Sequence, residues 1–159
     1  MNKVYGFALS ILVIVLDQFS KYWVLHHLIP YQPREICPGL QLTLAYNTGA
    51  AFSFLAQTGA WHTWFFMLLG SSLSCVLMIL LWRLPPSARQ HRIALSLILG
   101  GAIGNLIDRA LMGHVIDFID VYYKTSHWPV FNLADSAICC GAILYVVNFS
   151  SLKGKPKVG

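Results

Sequence analysis

Acidic side chains are scarce in this chain: Asp and Glu together number 6 among 159 residues, and charged residues of both signs make up only 11%. That is well under half the charge of a typical soluble domain, which argues against a water-exposed globule. The short motifs of several chemistries are missing too. The 4 cysteines, Cys37, Cys75, Cys139 and Cys140, form no CxxC pair, and three lie in apolar runs where cysteine acts as a small hydrophobe. Neither a disulfide nor a metal site is expected, and no cofactor. The lack of H-E-x-x-H argues against a zinc protease, and no serine sits in G-x-S-x-G with a histidine and an acid at readable offsets. His26, His27, His62, His91, His114 and His127 fall mostly at interfaces, where a solvated ring is the ordinary reading. The net charge of +5 forms no basic stripe interleaved with aromatics, so a nucleic-acid partner is not expected. No repeat, low-complexity tract or long linker divides the chain, which reads as one domain over residues 1–159.

What is abundant is apolar surface: 57% of residues are hydrophobic and the mean hydropathy is +0.62. A spanning helix needs about 20 mainly apolar residues. Four runs qualify, roughly Val4 to Trp23, Trp61 to Trp82, Ile93 to Met112 and Leu133 to Leu152. In the first, Asp17-Gln18-Phe19-Ser20 follow the apolar stretch and offer no A-x-A-like cleavage site, so it reads as a retained span rather than a leader. Lys3, the loop bearing Arg83, Arg89 and Arg92, and the tail bearing Lys153, Lys155 and Lys157 share one side, which the positive-inside rule makes cytoplasmic. Trp23, Trp61, Trp64, Trp82 and Trp128 fall at span ends, where indoles favour the interface. Two outer segments remain, His26 to Ala60 and Gly113 to Asn132. In the longer one Leu40, Leu42, Leu44 and Tyr46 alternate with Gln41, Thr43 and Ala45 before the turn-prone Asn47-Thr48-Gly49, the period of a half-buried strand. The expected fold is therefore an all-α integral membrane protein with four transmembrane helices and a small extracytoplasmic β-sheet.

On this topology Asp17, Glu35, Asp108, Asp117, Asp120 and Asp135 all lie in the outer half of a span or in an outer loop. A charge at the membrane centre costs roughly 3 kcal/mol on insertion scales, so embedded acids face the bundle and find partners. Asp17 and Lys21 are four apart on one helical face and can pair. Gly101, Asn105, Asp108, Arg109 and Met112 share a stripe of the third span, while Gly100 and Gly104 give a GxxxG spacing for close helix approach. In "FNLADSAI", Asn132 followed by Asp135 resembles a capping box. Asp117 lies just past the third span and Asp135 just inside the fourth, so antiparallel helices bring them to one depth. Two such carboxylates can share a proton, one serving as base toward water and the other as acid toward a peptide carbonyl. Asp120, three residues after Asp117, lies on the opposite face in a strand and on the same face in a helix. A transporter or proton relay is the main alternative, but its acids should cross the membrane. A structural subunit held together by polar groups is a third reading.

"DQFSKYWV" at Asp17 to Val24, "YNTGAAFSFL" at Tyr46 to Leu55, "GGAIGNLIDR" at Gly100 to Arg109, "GHVIDFIDV" at Gly113 to Val121 and "FNLADSAI" at Phe131 to Ile138 resemble, in order, the five motifs of bacterial lipoprotein signal peptidase, or signal peptidase II. The resemblance implies an aspartyl endopeptidase of the bacterial inner membrane, with both termini cytoplasmic and its site near the outer face. Its substrates would be diacylglyceryl-prolipoproteins, cut before the lipidated cysteine. It also implies inhibition by globomycin and contact with membrane lipids. Carried over by motif, the catalytic pair falls on Asp117 and Asp135, while Asp17, Asn47, Gly101, Asn105, Asp108, Arg109 and Asn132 line or brace the site. Lys21 and Arg109 are candidates to contact a lipid phosphate or a substrate carbonyl, or to pair with Asp17 or Asp108.

Overall fold

The computed structural model describes residues 3–49 and 61–153. The last part of the expected outer segment, residues 50–60, and the tail lysines Lys155 and Lys157 lie outside the described residues. Helices run over α1 Lys3–His27, α2 Trp61–Arg83, α3 Arg89–Met112 and α4 Leu133–Lys153, with strands β1 Arg34–Cys37, β2 Leu40–Asn47, β3 Val115–Tyr123 and β4 Ser126–His127. Among the described residues, α1, α3 and the stretch Trp64–Arg83 of α2 are long and apolar enough to cross a bilayer, and α4 adds the shorter apolar stretch Leu133–Asn148.

Polarity is arranged opposite to that of a soluble bundle. Ile11, Leu12, Val15 and Leu16 of α1, Leu68 and Val76 of α2, and Ile143 and Val146 of α4 are exposed, whereas Asp17, Lys21, Asn105 and Asp108 are buried. Lipid tails solvate the former and water cannot reach the latter. α3 lies at the centre, and glycines let its neighbours close in. A methyl group on Gly100 would stand 2.7 Å from Val13 Cβ, one on Gly104 2.6 Å from Asp17 Oδ2, and one on Gly101 would collide with the Ala134 carbonyl oxygen. Gly141 of α4 meets the Ala94 carbonyl oxygen of α3 in the same way, at 2.7 Å.

The helix bounds differ from the sequence expectation in two places, each for a reason of packing. α1 continues past Trp23 because Val24 and Leu28 are buried with Leu44, Ile116 and Phe118 in a core shared with the sheet. α3 begins before Ile93, so Arg89 and Arg92 are helical rather than in a loop. Arg92 is 1% exposed, and its guanidinium donates to the Leu84 and Pro85 carbonyl oxygens at 3.0 Å, capping the end of α2.

The sheet draws strands from both connecting segments, in the antiparallel order β1-β2-β3-β4. β2 meets β3 with Ala45 opposite Asp117 and Asn47 opposite Val115, after an irregularity between Leu42 and Ala45. α3 ends on Gly113, whose φ of 78° suits a left-handed cap, and the chain turns directly into β3. The chain then returns beside β3: Phe131 bridges Ile119, accepting from Phe118 and Ile119 N–H and donating to the Ile119 carbonyl. That bridge delivers Asn132 and the start of α4 against the β3 segment that carries Asp117.

Candidate active site

Four buried groups at the sheet end of α1 and α3 form the foundation. The Lys21 ammonium lies 2.8 Å from Asp17 Oδ2, 2.7 Å from Asp108 Oδ2 and 3.0 Å from Asn105 Oδ1, so its three protons meet three acceptors. Both acids also accept from backbone N–H groups. Asp17 Oδ1 accepts from Ala134 N–H of α4 at 2.9 Å, and Asp108 Oδ2 also accepts from Ile116 N–H of β3 at 3.2 Å. One ammonium with two acids thus fixes α1 and α3 to each other, and through those acids fixes the residue before Asp117 and the residue before Asp135. Asp108 pairs with Lys21 and not with Arg109, correcting one of the two sequence readings. Arg109 instead donates to the Asn105 carbonyl oxygen at 3.3 Å and stands 5.3 Å over the Phe66 ring.

Three asparagines join this base to Asp117 and Asp135. Asn47 donates to Asp117 Oδ2 at 2.8 Å, Asn132 to Asp117 Oδ1 at 2.7 Å, and Asn105 to Asp135 Oδ1 at 2.7 Å. Their amide orientations follow from groups that can only donate. Gly49 N–H points at Asn47 Oδ1, Asp135 N–H at Asn132 Oδ1, and the Lys21 ammonium at Asn105 Oδ1. Each NH₂ is thereby turned toward a carboxylate. Asn132 also donates to Asn105 Oδ1 at 3.1 Å, so a continuous chain runs from Asp117 through Asn132 and Asn105 to Asp135. The capping box forms as well, with Asp135 N–H on Asn132 Oδ1 at 2.9 Å and Asn132 N–H on Asp135 Oδ2 at 3.3 Å.

Asp117 is 1% exposed, and burial pushes its carboxyl up to about 6. Hydrogen bonds from Asn47 and Asn132 pull it down, and the neighbouring charge of Asp135 pushes it further up. Asp120 is turned to other partners. Burial pushes it up, but hydrogen bonds from Gln41, His127 and Thr43 outweigh this and leave it below the usual carboxylate range. The distances are 2.6 Å to Gln41, 2.9 Å to Thr43 and 2.8 Å to His127. β3 is a strand, which resolves the strand-or-helix alternative and sends Asp117 and Asp120 to different neighbours.

Asp17, Lys21, Asn47, Gly101, Asn105, Asp108, Arg109, Asp117, Asn132 and Asp135 therefore stand in or directly against one cluster, while Asp120 keeps its own partners. Gly101 contributes by absence of a side chain, admitting the Ala134 carbonyl. Sequence reasoning left out Gln18, which donates to Asp108 Oδ1 at 2.8 Å and to the Gly104 carbonyl oxygen at 3.2 Å. Its signal was available: a polar amide inside an apolar span, three residues before Lys21. It also left out Phe66, for which an aromatic in an apolar helix gives no signal.

The family model described as Signal peptidase (SPase) II matches residues 9–151. The chain is 49% identical over 144 residues to a lipoprotein signal peptidase of Teredinibacter turnerae, covering 91% of this chain and 84% of that protein. It is 47% identical over 151 residues to one of Acinetobacter baumannii, covering 94% and 86%. Two solved structures described as bacterial membrane enzymes share the fold. One, at 1.9 Å resolution, has a TM-score of 0.81 at 30% identity over 91% of this chain and 92% of its own. The other, at 2.3 Å, has a TM-score of 0.85 at 28% identity over 98% and 93%. With the match running from α1 to α4 and through all five motifs, this chain belongs to the signal peptidase II family, the lipoprotein signal peptidases.

Proposed function

We propose that the chain is a single membrane-embedded aspartyl endopeptidase that removes signal peptides from diacylglyceryl-prolipoproteins, cutting before the lipidated cysteine with Asp117 and Asp135 as its water-activating pair. The observation that carries this reading is the asparagine chain: it joins the two carboxylates while presenting only N–H groups to them. With one proton on the pair, the ionised carboxylate accepts a proton from water as its oxygen attacks the scissile carbonyl carbon. The protonated partner donates to the developing oxyanion. Collapse of the tetrahedral intermediate breaks the C–N bond: the proton taken from water passes to the leaving amine, and the protonated oxygen returns its proton to the carboxylate that supplied it as the new carboxyl group forms. The two carboxylates share one proton, so neither role is fixed to one residue. Arg109 stands within electrostatic reach of Asp135, Asp108 and Asp117, and its position favours contact with a substrate carbonyl. The sheet end would face outward from the bacterial inner membrane with both termini cytoplasmic, so that signal peptide and acyl chains stay in lipid while the scissile bond meets the pair at the surface. Globomycin would compete for this site.

The test is cleavage of a diacylglyceryl-modified prolipoprotein by purified enzyme in detergent. Asp117→Asn and Asp135→Asn are each expected to lower the rate about 10²- to 10⁴-fold while substrate binding persists. A folded, substrate-binding variant that cleaves near the wild-type rate would sink the assignment.

A further inference from the structure

At the end of the bundle opposite the sheet, the chain carries charge that it does not answer itself. Lys3 opens α1, Arg83 closes α2 and Arg89 opens α3. All 6 acids of the sequence stand elsewhere: Asp17 and Asp108 in the sheet-side parts of α1 and α3, Asp135 in the first turn of α4, and Glu35, Asp117 and Asp120 on strands. Among the described residues, each ion pair belongs to Lys21 or His127, at the sheet end. Buried Arg92 donates to neutral carbonyls beyond the α2 terminus and leaves its Nε unpartnered, so its charge is not answered by an acid either.

Beside Lys3 runs an open groove of about 420 Å³ between α1 and α2, lined by Lys3, Val4, Phe7, Ala8, Ile11 and Trp82. The α1 residues stand at i, i+4 and i+8, with Val4 and Ala8 beside them, so the stripe follows the helix for about 12 Å. Phe7 and Trp82 form its walls, their ring centroids 6.4 Å apart, and the Lys3 ammonium sits 4.5 Å over the Trp82 ring at the mouth. The lining is otherwise apolar and faces the bilayer. An apolar slot along the membrane normal, topped by a cation with no acid near it, matches the division of a phospholipid into tail and phosphate.

We propose that this groove binds one anionic phospholipid, with an acyl chain along Val4, Phe7, Ala8 and Ile11 and the phosphate at Lys3. A zwitterionic lipid would bring an ammonium group into a field already positive from Lys3, Arg83 and Arg89, whereas an anionic one neutralises it. The site is separate from the cluster around Asp117 and Asp135, because Lys3 and Asp17 are fourteen residues, or about 21 Å, apart along α1. It therefore holds whether or not the proposed aspartyl chemistry does.

The test uses the full chain reconstituted in equimolar phosphatidylglycerol and phosphatidylcholine, extracted in mild nonionic detergent, with retained lipid counted by native mass spectrometry. Wild type is expected to retain phosphatidylglycerol over phosphatidylcholine by roughly fivefold, the worth of one surface cation. Lys3→Gln should bring the ratio close to one and Lys3→Glu below it. Ala8→Phe, at an exposed position, fills the groove without changing charge and should reduce retention of both lipids. Equal retention by wild type, an unchanged ratio in both Lys3 variants, or displacement of the lipid by millimolar glycerol phosphate would overturn the proposal. The last result would identify a plain anion site with no role for the tail.

Discussion

Two aspartates three residues apart on β3 show how environment divides one residue type. Asp117 is raised to about 6, chiefly by burial, while Asp120 is lowered by its three hydrogen-bond donors despite burial. On the proposed mechanism the pair must keep one proton, which leaves as pH rises through the raised value. The kcat/KM of the wild-type enzyme is therefore expected to fall on the alkaline side of about pH 6. Asn47 pulls Asp117 down, so Asn47→Ala should move that limb to higher pH, and pH profiles of cleavage decide it; a limb that stays or moves down contradicts the assigned contact. Asp120→Asn tests the contrast. It should lower stability by about 1–3 kcal/mol through the three hydrogen bonds of this buried carboxylate yet leave the cleavage profile in place, read by thermal unfolding and activity on the same sample. The sign of its charge linkage is opposite to that of Asp117: Asp120 stabilises the fold above the ordinary carboxylate range and loses this as pH falls through its lowered value.

At the scale of elements, α3 and α4 touch through glycine at two levels, Gly101 on the Ala134 carbonyl and Gly141 on the Ala94 carbonyl. Ala at either site overpacks the contact, with an expected loss of about 1–3 kcal/mol seen as a lower unfolding midpoint in detergent. Gly101→Ala should also lower cleavage, because it pushes on the residue before Asp135, whereas Gly141→Ala should spare the rate of the folded fraction. The elements themselves were largely legible in the sequence, since lipid-facing helices announce themselves by length and composition. The strand over residues 40–47 was legible by its alternation. β3 was not, because Val115 to Asp120 are buried or nearly so on both faces and show no period of two. Arg92 was misplaced because an arginine ordinarily marks a loop, and only the tertiary fold reveals carbonyls waiting for it. The site was legible because a polar stripe in an apolar span has few innocent explanations. The division of partners among Lys21, Asp108 and Arg109 was not, since sequence spacing allows either cation to reach either acid.

For the whole molecule, the acids gathered at one end argue for a one-sided site and against a proton path, which would need polar groups through the full thickness. The proposed orientation predicts that a reporter inserted at Thr125, in the β3–β4 turn, reads outside, and one at Ser87, between α2 and α3, reads inside. The reverse pattern would put the pair in the wrong compartment. The bond between Asp17 Oδ1 and Ala134 N–H joins residues 117 positions apart, linking the first helix to the last. A chain emerging from the ribosome therefore holds Asp17, Lys21 and Asp108 in the membrane before Asp135 exists to be positioned. On the proposed chemistry, a nascent chain is harmless to its surroundings until synthesis has passed α4, and the order of translation serves the purpose that a removable pro-segment serves in secreted proteases.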